Sequence, residues 1–253
     1  MSIIDRKQLP AIMPNISCFD FDSAPSRLTL TDDDVHIWRV SLDVDAAALQ
    51  ICRAILSADE QARAARYHRT IDQYHFICGR GRLRQLLGRY VNMSPAAIAF
   101  TYSPYGKPAI AGKNGLPSLQ FNLAHSGGQA LFAFTRHHPI GIDIEAMRDD
   151  IEFEALTPTV FSPVEQAEWR SLPQTLKKQG FYRAWTSKEA FIKAIGLGLN
   201  FPLQDFDVRL HPAQPAVLLA VRSPHFYSTE WGLCDVTVAP NYFGSLCLHE
   251  PNL

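Results

Sequence analysis

The pattern of hydrophobic and polar positions along the chain predicts a mixture of helices and strands. Residues 35–43 alternate as in a half-buried strand, and apolar residues recur at helical spacing over 46–55. Ser57 is placed to cap a second helix, and residues 71–91 predict a longer one. Residues 1–34 contain scattered Pro, Ser and Asp without periodicity, so we expect that segment to be mostly irregular.

The remaining segments continue this mixture without a strict alternation of strand and helix. A turn is predicted at 103–108 from its content of Ser, Pro and Gly. Strands are predicted at 98–102, 119–124, 130–135, 139–145, 205–210, 216–222, 233–239 and 243–249, and helices near 163–171 and 174–196. The mixed order favours an α+β fold over a doubly wound sheet.

The composition is that of an ordinary globular protein, since 47% of the 253 residues are hydrophobic and 19% are charged. The formal net charge of −1 gives no overall field that would favour nucleic acid, so any anion site must be local. Five cysteines without a C-x-x-C pair indicate reduced thiols rather than a zinc site or disulfides. Because no apolar run approaches the roughly 18 residues of a membrane helix, and no signal-peptide pattern is visible, we expect a cytoplasmic protein without membrane contact.

The segment Gly141-Ile142-Asp143-Ile144-Glu145 is the first with candidate chemistry. In a strand, Asp143 and Glu145 point to one face and the two isoleucines to the other. Two adjacent carboxylates repel each other unless a hard cation lies between them, and Mg²⁺ prefers carboxylate and phosphate oxygens. Spacing alone leaves a second interpretation open, a strand end whose acids face water, because such alternation is common on half-exposed strands.

The segment from Trp185 to Gly198 places Glu189 and Lys193 four residues apart, on one helical face. Such a pair can serve a site in which the carboxylate ligates a metal or accepts a proton and the ammonium holds a phosphate. Glu–Lys pairs at this spacing are also routine on helix surfaces, where they contribute well under about 1 kcal/mol. The pair alone does not decide between a site and a surface ion pair.

Polar groups in the first half of the chain could form an anion site. His125 and two glycines follow an apolar strand and could present an imidazole and backbone N–H groups, although a lone histidine is more often structural. Lys107 lies in the predicted turn, from which a rigidly held lysine can reach a phosphate. This half also contains several arginines whose simpler interpretation is a basic helix surface: Arg63, Arg66, Arg80, Arg82, Arg84 and Arg89.

These segments, in this order and at these distances, are similar to one family. G-I-D-I-E, followed about forty residues later by W-x-x-K-E-A-x-x-K, resembles the signature of Sfp-type phosphopantetheinyl transferases. The upstream segments Y-G-K-P and F-N-x-x-H-S complete the resemblance, which covers roughly residues 55–210. One position departs from the family pattern, because Ala124 stands where serine is usual, and any hydroxyl contact from it to coenzyme A would be lost.

The resemblance implies an α+β pseudo-dimer, in which two similar halves of one chain enclose coenzyme A in the cleft between them. We expect the halves to meet near Pro139, which divides the chain into 1–139 and 140–253. The resemblance also implies a transferase that moves the 4'-phosphopantetheine arm of coenzyme A onto a serine of a carrier protein and releases adenosine 3',5'-bisphosphate.

By the same resemblance, Asp143, Glu145 and Glu189 are expected to ligate Mg²⁺. Lys193 is expected to neutralise charge on the pyrophosphate, and Glu189 to help deprotonate the attacking serine. Such a role fits the chemistry, because phosphoryl transfer needs in-line positioning and charge neutralisation more than covalent help. The expected coenzyme A contacts are Arg63, Lys107, Asn122 and His125, with Arg80 and Arg84 as further candidates.

The expected partner is a small acyl, peptidyl or aryl carrier domain that meets a monomeric enzyme. In the resembled family the segment after the W-x-x-K-E helix takes part in docking, which here is about 196–206, with Phe201, Pro202 and Leu203 as apolar candidates. Two alternatives remain open. One is another metal-dependent enzyme that acts on phosphate esters, and the other is a coenzyme A-binding module without catalytic activity.

Overall fold

The computed structural model describes residues 15–23, 25, 28–112 and 118–250. The strands are β1 (Asn15–Asp20), β2 (Asp34–Ser41), β3 (Phe100–Tyr102), β4 (Pro108–Ile110), β5 (Gln120–Ser126), β6 (Gln129–Thr135), β7 (Ile140–Ala146), β8 (Phe206–Val208), β9 (Leu218–Val221), β10 (Trp231–Val236) and β11 (Tyr242–His249). The helices are α1 (Ala46–Ala54), α2 (Ala58–Ala64), α3 (Thr70–Val91), α4 (Phe153–Val160), α5 (Pro163–Ser171) and α6 (Gln174–Ile195). This mixture confirms the predicted α+β class.

Two sheets form the centre of the molecule. The N-terminal sheet has the strand order β1-β2-β6-β5, in which β1 is parallel to β2 and the other neighbours are antiparallel. The C-terminal sheet has the order β10-β11-β7 and is antiparallel throughout. The hairpins β3–β4 and β8–β9 form two small additional sheets. The chain crosses from the first central sheet to the second between Thr135 and Ile140, next to the predicted join at Pro139.

The side chains of the two sheets divide into an outer and a shared layer. Along β6, Phe132 and Phe134 pack with the apolar side chains of α1 and α3, whereas Leu131 and Ala133 belong to a different cluster. That second cluster also contains side chains of β7, β10 and β11 and therefore lies between the sheets. A third cluster joins α5 and α6 to the hairpin β8–β9. The order of layers is thus helices, sheet, sheet, helices, while the similarity of the halves as a pseudo-dimer stays a prediction.

Side-chain hydrogen bonds join the neighbouring edges of the two sheets. Oδ1 of Asn122 on β5 accepts a hydrogen bond from the backbone N–H of Ile142 on β7, at 2.9 Å. Oγ of Ser126 accepts one from the backbone N–H of Ala146, at 3.0 Å. These two bonds lie at either end of the segment that contains Asp143 and Glu145. They therefore fix the predicted metal-binding strand against β5.

The two long helices, α3 and α6, have 22 residues each. Helix α6 approaches β7 closely because Gly141 has no side chain: a Cβ at that position would lie 2.0 Å from the carbonyl oxygen of Ala190. The helix ends at Gly196, whose φ of 77° is the left-handed conformation that favours glycine. Within the described residues, no helix combines the length and apolarity needed to cross a membrane.

The structure differs from the pattern-based prediction in three places. One is β4 (Pro108–Ile110), where only the turn at 103–108 was predicted. Residues 15–20 form β1, although we expected an irregular segment, and residues 1–14 lie outside the described chain. β1 is an edge strand with one buried residue, Ile16, so its formation depends on pairing with β2 rather than on its own periodicity. Helix α4 was also missed, because Pro158 in its last turn and its short length weaken the helical pattern.

Candidate active site

A cleft of about 960 Å³ lies between the two halves of the molecule. His75, Phe76 and His125 line it on the N-terminal side, and Glu145 and Trp185 line it on the C-terminal side. It is the kind of concave, partly apolar space with a few polar groups in which ligands bind. The two segments that the sequence singled out, around His125 and around Glu145, therefore meet in one place.

Asp143 and Glu145 lie on the face of β7 that is turned away from the shared layer, as the strand pattern predicts. Ile142 and Ile144 lie in that layer, between the sheets. Asp143 instead contacts α6, where its Oδ1 lies 2.5 Å from Nζ of Lys193. Glu145 accepts a hydrogen bond of 2.7 Å from Oγ of Ser126.

The carboxylate of Asp143 is only 4% exposed, and its Oδ2 has no hydrogen-bond partner among the described residues. Burial raises the pKa of Asp143 to about 7, although the adjacent ammonium of Lys193 opposes this increase. The carboxylates of Glu145 and Glu189 raise the pKa further. An ionised Asp143 therefore needs more positive charge nearby than Lys193 alone supplies.

Glu189 and Lys193 are both half-buried on α6. Burial raises the pKa of Glu189, with Lys193 lowering it and Glu145 raising it. The ammonium of Lys193 pairs with Asp143, and no ion pair within 4 Å joins it to Glu189 in the described part of the chain. A simple surface ion pair between Glu189 and Lys193 is therefore not what the structure contains.

His125 lies close to these charged groups. Its pKa is lowered because partial burial in the cleft disfavours the charged ring and because the ammonium of Lys193 lies nearby, against the opposing effect of Glu145. His75 was not predicted from the sequence. Its Nε2 lies 2.8 Å from Oδ1 of Asp43, a carboxylate–imidazole pair in the wall of the cleft. No motif surrounds His75, so only the fold could reveal it.

Two predicted coenzyme A contacts, Lys107 and Asn122, have partners within the protein. The ammonium of Lys107 donates to the backbone carbonyls of Ile140, Lys193 and Ala194, and burial lowers its pKa to about 8. Asn122 joins β5 to β7 through its side-chain oxygen. The structure therefore does not direct the Lys107 ammonium into the cleft.

The arginines divide into surface and buried members. Arg63 is exposed, and its guanidinium lies 5.2 Å from the centre of the Phe76 ring, next to the cleft. Arg84 is 1% exposed and donates to Glu60 at 2.7 Å, and Arg80 is 3.4 Å from the same carboxylate. The basic-surface interpretation is wrong for Arg80 and Arg84, because Glu60 of the α2 cap draws both guanidinium groups between α2 and α3. Their candidacy as coenzyme A contacts loses its support.

Three further positions differ from what their sequence context suggested. Phe201 is 8% exposed and packs against Phe191 and Phe206, so it belongs to the core and is not a docking side chain. Leu203 is also packed against that core, whereas Pro202 is exposed. Ala124 lies in the shared layer between the sheets. A hydroxyl at position 124 would therefore face apolar side chains.

Lys188, the lysine of the W-x-x-K-E segment, is fully buried. Its ammonium lies 2.8 Å from Oε2 of Glu165 and donates to the carbonyls of Leu203 and Phe206. Glu165 also accepts hydrogen bonds from the backbone of Ser162 and Val208. Burial lowers the pKa of Lys188 and raises that of Glu165. This motif residue therefore fastens the segment after α6 to α5.

The three carboxylates of the candidate site, of which Glu145 lines the cleft, suit a hard cation in their chemistry. Asp143, Glu145 and Glu189 offer oxygen ligands of the type that Mg²⁺ prefers, and the buried Oδ2 of Asp143 lacks a partner. In the described chain, however, no three His, Cys, Asp or Glu side chains stand close enough together to form a ready metal site. The donor types suit the ion, although the three carboxylates are not gathered around one point in the described chain.

Two family models match the chain. One, described as "4'-phosphopantetheinyl transferase superfamily", matches residues 139–243. The other, described as "4'-phosphopantetheinyl transferase, N-terminal", matches residues 43–136. All three candidate metal ligands lie within the first of these regions.

Curated proteins are similar over most of the chain. 4'-phosphopantetheinyl transferase HetI of Nostoc sp. is 41% identical over 194 residues, which cover 77% of this chain and 81% of that protein. 4'-phosphopantetheinyl transferase Sfp of Bacillus subtilis is 31% identical over 201 residues, covering 79% of this chain and 84% of that protein. Among solved structures, a holo-(acyl-carrier-protein) synthase from Bacillus anthracis in complex with CoA (3',5'-ADP) is 21% identical, with a TM-score of 0.36 over 45% of this chain and 96% of that one.

Proposed function

Because this chain belongs to the Sfp-type 4'-phosphopantetheinyl transferase family, we propose that it transfers the 4'-phosphopantetheine arm of coenzyme A to a serine of a carrier protein. The observation that best supports this reaction is the contact between the two motifs, in which Lys193 of α6 lies 2.5 Å from Asp143 of β7. Glu145 lines the adjoining cleft. The proposed site is therefore built from both halves of the signature.

In the proposed reaction, the serine hydroxyl of the carrier attacks the β-phosphorus of coenzyme A. A new O–P bond forms, the bond from that phosphorus to the bridging oxygen breaks, and adenosine 3',5'-bisphosphate leaves with the electron pair. Glu189 accepts the serine proton, directly or through water, and the burial that raises its pKa makes it a better base. Lys193 donates hydrogen bonds to the pyrophosphate oxygens, on which negative charge increases in the transition state.

Asp143, Glu145 and Glu189 are the residues that would hold Mg²⁺. Bound there, the ion would supply positive charge to the pyrophosphate oxygens and help to align them. The three carboxylates together with Lys193 carry an excess of negative charge. A divalent cation would compensate this excess and also the negative charge of the substrate. The site could therefore hold the ion and the substrate together.

His125 and Arg63 are the proposed contacts of the nucleotide phosphates. His125 lines the cleft, and Arg63 lies at its edge beside Phe76. The oxygen of Asn122 is bonded to Ile142 and supports β7, so its amide N–H groups are the part that we propose contacts coenzyme A. The proposed partner is an acyl, peptidyl or aryl carrier domain that docks over the cleft between the halves 1–139 and 140–253, and a monomer supplies every proposed site residue.

One assay tests the proposal. The protein is incubated with coenzyme A, Mg²⁺ and a panel of apo carrier domains, and each carrier is weighed by mass spectrometry. We expect one carrier serine to gain one phosphopantetheine group, and we expect no gain with a chelator or with a carrier whose serine is replaced by alanine. Phosphate release from simple esters without a carrier would instead indicate a phosphohydrolase. Coenzyme A binding without any mass gain would indicate a binding module.

A further inference from the structure

Lys107 extends from the N-terminal half into the end of α6. It follows the tight turn of the hairpin β3–β4, where Oγ of Ser103 accepts hydrogen bonds from the backbone of Tyr105 and Lys107. The backbone N–H of Ser103 also bonds to the carbonyl of Lys107, at 2.9 Å. These bonds hold the backbone at Lys107 in a defined position in the hairpin, from which its side chain extends.

The ammonium of Lys107 reaches two elements at once. It donates to the carbonyls of Lys193 at 2.7 Å and Ala194 at 3.1 Å, in the last turn of α6. It also donates to the carbonyl of Ile140 at 3.0 Å, at the start of β7. The ammonium has three N–H groups and three carbonyl acceptors, so each of its donors has a hydrogen-bond partner.

The end of a helix is a favourable place for this cation. The last four carbonyls of an α-helix have no partner within the helix, and the negative end of the helix dipole attracts positive charge. Lys193 and Ala194 belong to that last turn. A ligand phosphate would have to compete with three carbonyls for the same ammonium, which disfavours a direct contact between Lys107 and coenzyme A.

The two elements tied by Lys107 are the ones that meet at the candidate site. Ile140 lies three residues before Asp143 on β7. The backbone carbonyl of Lys193 accepts a hydrogen bond from Lys107, and the ammonium of Lys193 contacts Asp143. Movement of the last turn of α6 away from β7 would separate Lys193 from Asp143. On the basis of the proposed function, we propose that Lys107 is a positioning residue that holds the end of α6 against β7 and so keeps Lys193 beside Asp143.

Two measurements on three variants test this role. Lys107→Met keeps most of the length of the side chain and removes all three donors, and Lys107→Gln keeps two N–H donors without the charge. Arg63→Met is the matched control, since it removes a cation that we place at the substrate and not at α6. Steady-state kinetics with coenzyme A and a carrier give kcat and KM, and hydrogen–deuterium exchange of the free protein reports on 138–146 and 188–200.

We expect Lys107→Met to lower kcat by about 10- to 100-fold, the range that small displacements of catalytic groups produce. Its KM for coenzyme A should stay within about threefold of the parent value. Exchange should become faster at the end of α6 and the start of β7, with Lys107→Gln intermediate in both measurements. Arg63→Met should raise KM and leave exchange in these segments unchanged. If Lys107→Met does not fold, Lys107→Gln gives the same test.

Two outcomes would overturn the inference. A raised KM with parental kcat and parental exchange would make Lys107 a coenzyme A contact. A lower melting temperature with parental kcat and KM would make it a stabilising residue without a role in the reaction. If the parent protein transfers nothing to any carrier, the proposed function fails. Hydrogen–deuterium exchange still tests whether Lys107 holds α6 against β7. Faster exchange in the Lys107 variants supports this contact, and unchanged exchange overturns it.

Discussion

Nζ of Lys193 lies 2.5 Å from Oδ1 of Asp143, while Oδ2 of the same carboxylate has no hydrogen-bond partner in the described chain. One ammonium thus compensates one oxygen of the most buried carboxylate in the candidate site. Glu145 and Glu189 add negative charge that raises the pKa of Asp143. This imbalance is the physical reason to expect a cation and an anionic substrate to bind together here.

The first prediction concerns Asp143→Asn. We expect transfer to be abolished while the melting temperature stays the same or rises, because burial opposes the charged carboxylate and asparagine keeps its shape. Lys193 is 27% exposed, so its ammonium can turn to water when its partner is lost. Transfer rates across a Mg²⁺ titration, with thermal melts, measure both effects.

The control for that variant is Asp149→Asn, an exposed carboxylate that pairs with Lys178. It should keep the parental rate and Mg²⁺ dependence. Near-normal turnover of Asp143→Asn at low Mg²⁺ would show that the metal assignment is wrong.

The second prediction separates the two roles of Glu189 from that of Lys193. Glu189→Gln keeps the shape and removes both the charge and the basicity, so we expect its rate to fall by more than the about 10²–10⁴-fold typical of general-base loss alone. Lys193→Arg should retain partial activity, because it keeps the charge, whereas Lys193→Ala should be inactive. Steady-state rates with melting temperatures decide the matter, and near-parental activity in Glu189→Gln would exclude the proposed mechanism.

The relative placement of the charged residues could be predicted from local periodicity, whereas their roles came only from the resemblance to the family. The two-residue repeat of a strand placed Asp143 and Glu145 on one face, and the helical repeat placed Glu189 and Lys193 near each other. The partner of Lys193 could not be predicted in this way. Glu189 is four residues away in the chain, but the approach of α6 to β7 at Gly141 brings Asp143 closer to the ammonium.

Long-range pairing also explains where the sequence-based predictions failed. Arg84 has the spacing of a surface residue on α3, yet the capping glutamate of α2 draws it into the core. Lys107 lies in a segment with the composition of a turn, where a lysine is usually solvated, yet its ammonium donates hydrogen bonds to carbonyls at the end of α6. β1 lacks its own periodicity and forms because β2 offers an edge. In each case the deciding neighbour lies far away in the sequence.

The third prediction tests the close approach at Gly141. In Gly141→Ala the new Cβ would lie 2.0 Å from the carbonyl oxygen of Ala190 and 2.5 Å from the backbone nitrogen of Ala194. Both atoms belong to the backbone and cannot rotate away, so α6 must shift. We expect the free energy of unfolding to fall by about 1–3 kcal/mol, the usual range for overpacking, and the transfer rate to fall with it. Urea unfolding and kinetics measure these losses.

Gly79→Ala is the matched control for this substitution. Gly79 lies inside α3, and a Cβ there would meet only Cδ2 of Leu42, at 3.5 Å, an ordinary contact. This variant should gain about 0.5–1 kcal/mol from the better helix propensity of alanine. Equal stability changes in the two variants would contradict the close approach of α6 to β7.

The fourth prediction concerns Lys188 and Glu165. Lys188→Met leaves the carboxylate of Glu165 buried without its cation, and removal of one partner from such a pair typically costs about 3–5 kcal/mol. The double variant with Glu165→Gln removes both charges and should recover much of this loss. A double-mutant cycle by urea unfolding at pH 7 gives the coupling energy. If Lys188 instead acts on the substrate, the folded double variant will transfer at a greatly reduced rate.

The fifth prediction arises from a buried histidine in the N-terminal sheet. Nδ1 of His36 lies 2.7 Å from the hydroxyl of Tyr90, and the indole N–H of Trp38 donates to that same hydroxyl oxygen. The tyrosine oxygen accepts from Trp38, and its own proton is placed to donate to an unprotonated Nδ1 of His36. Protonation of His36 at Nδ1 would reverse this bond, so that two N–H donors would share the one hydroxyl oxygen in a buried place.

Burial lowers the pKa of His36 below its ordinary value of 6.5, although Asp34 opposes the shift. When pH falls below 6.5, the unfolded chain takes up a proton at this position before the folded chain does, so the unfolded state gains stability. The free energy of unfolding should therefore decrease from about pH 6.5 downward to the folded pKa, with a slope of at most about 1.4 kcal/mol per pH unit from this group. His36→Gln keeps a side-chain acceptor for Tyr90 but does not titrate, so it should lose this component while the carboxylates keep theirs. Urea unfolding of parent and variant between pH 5 and 8 measures the difference, and parallel curves would contradict the assignment of a neutral His36.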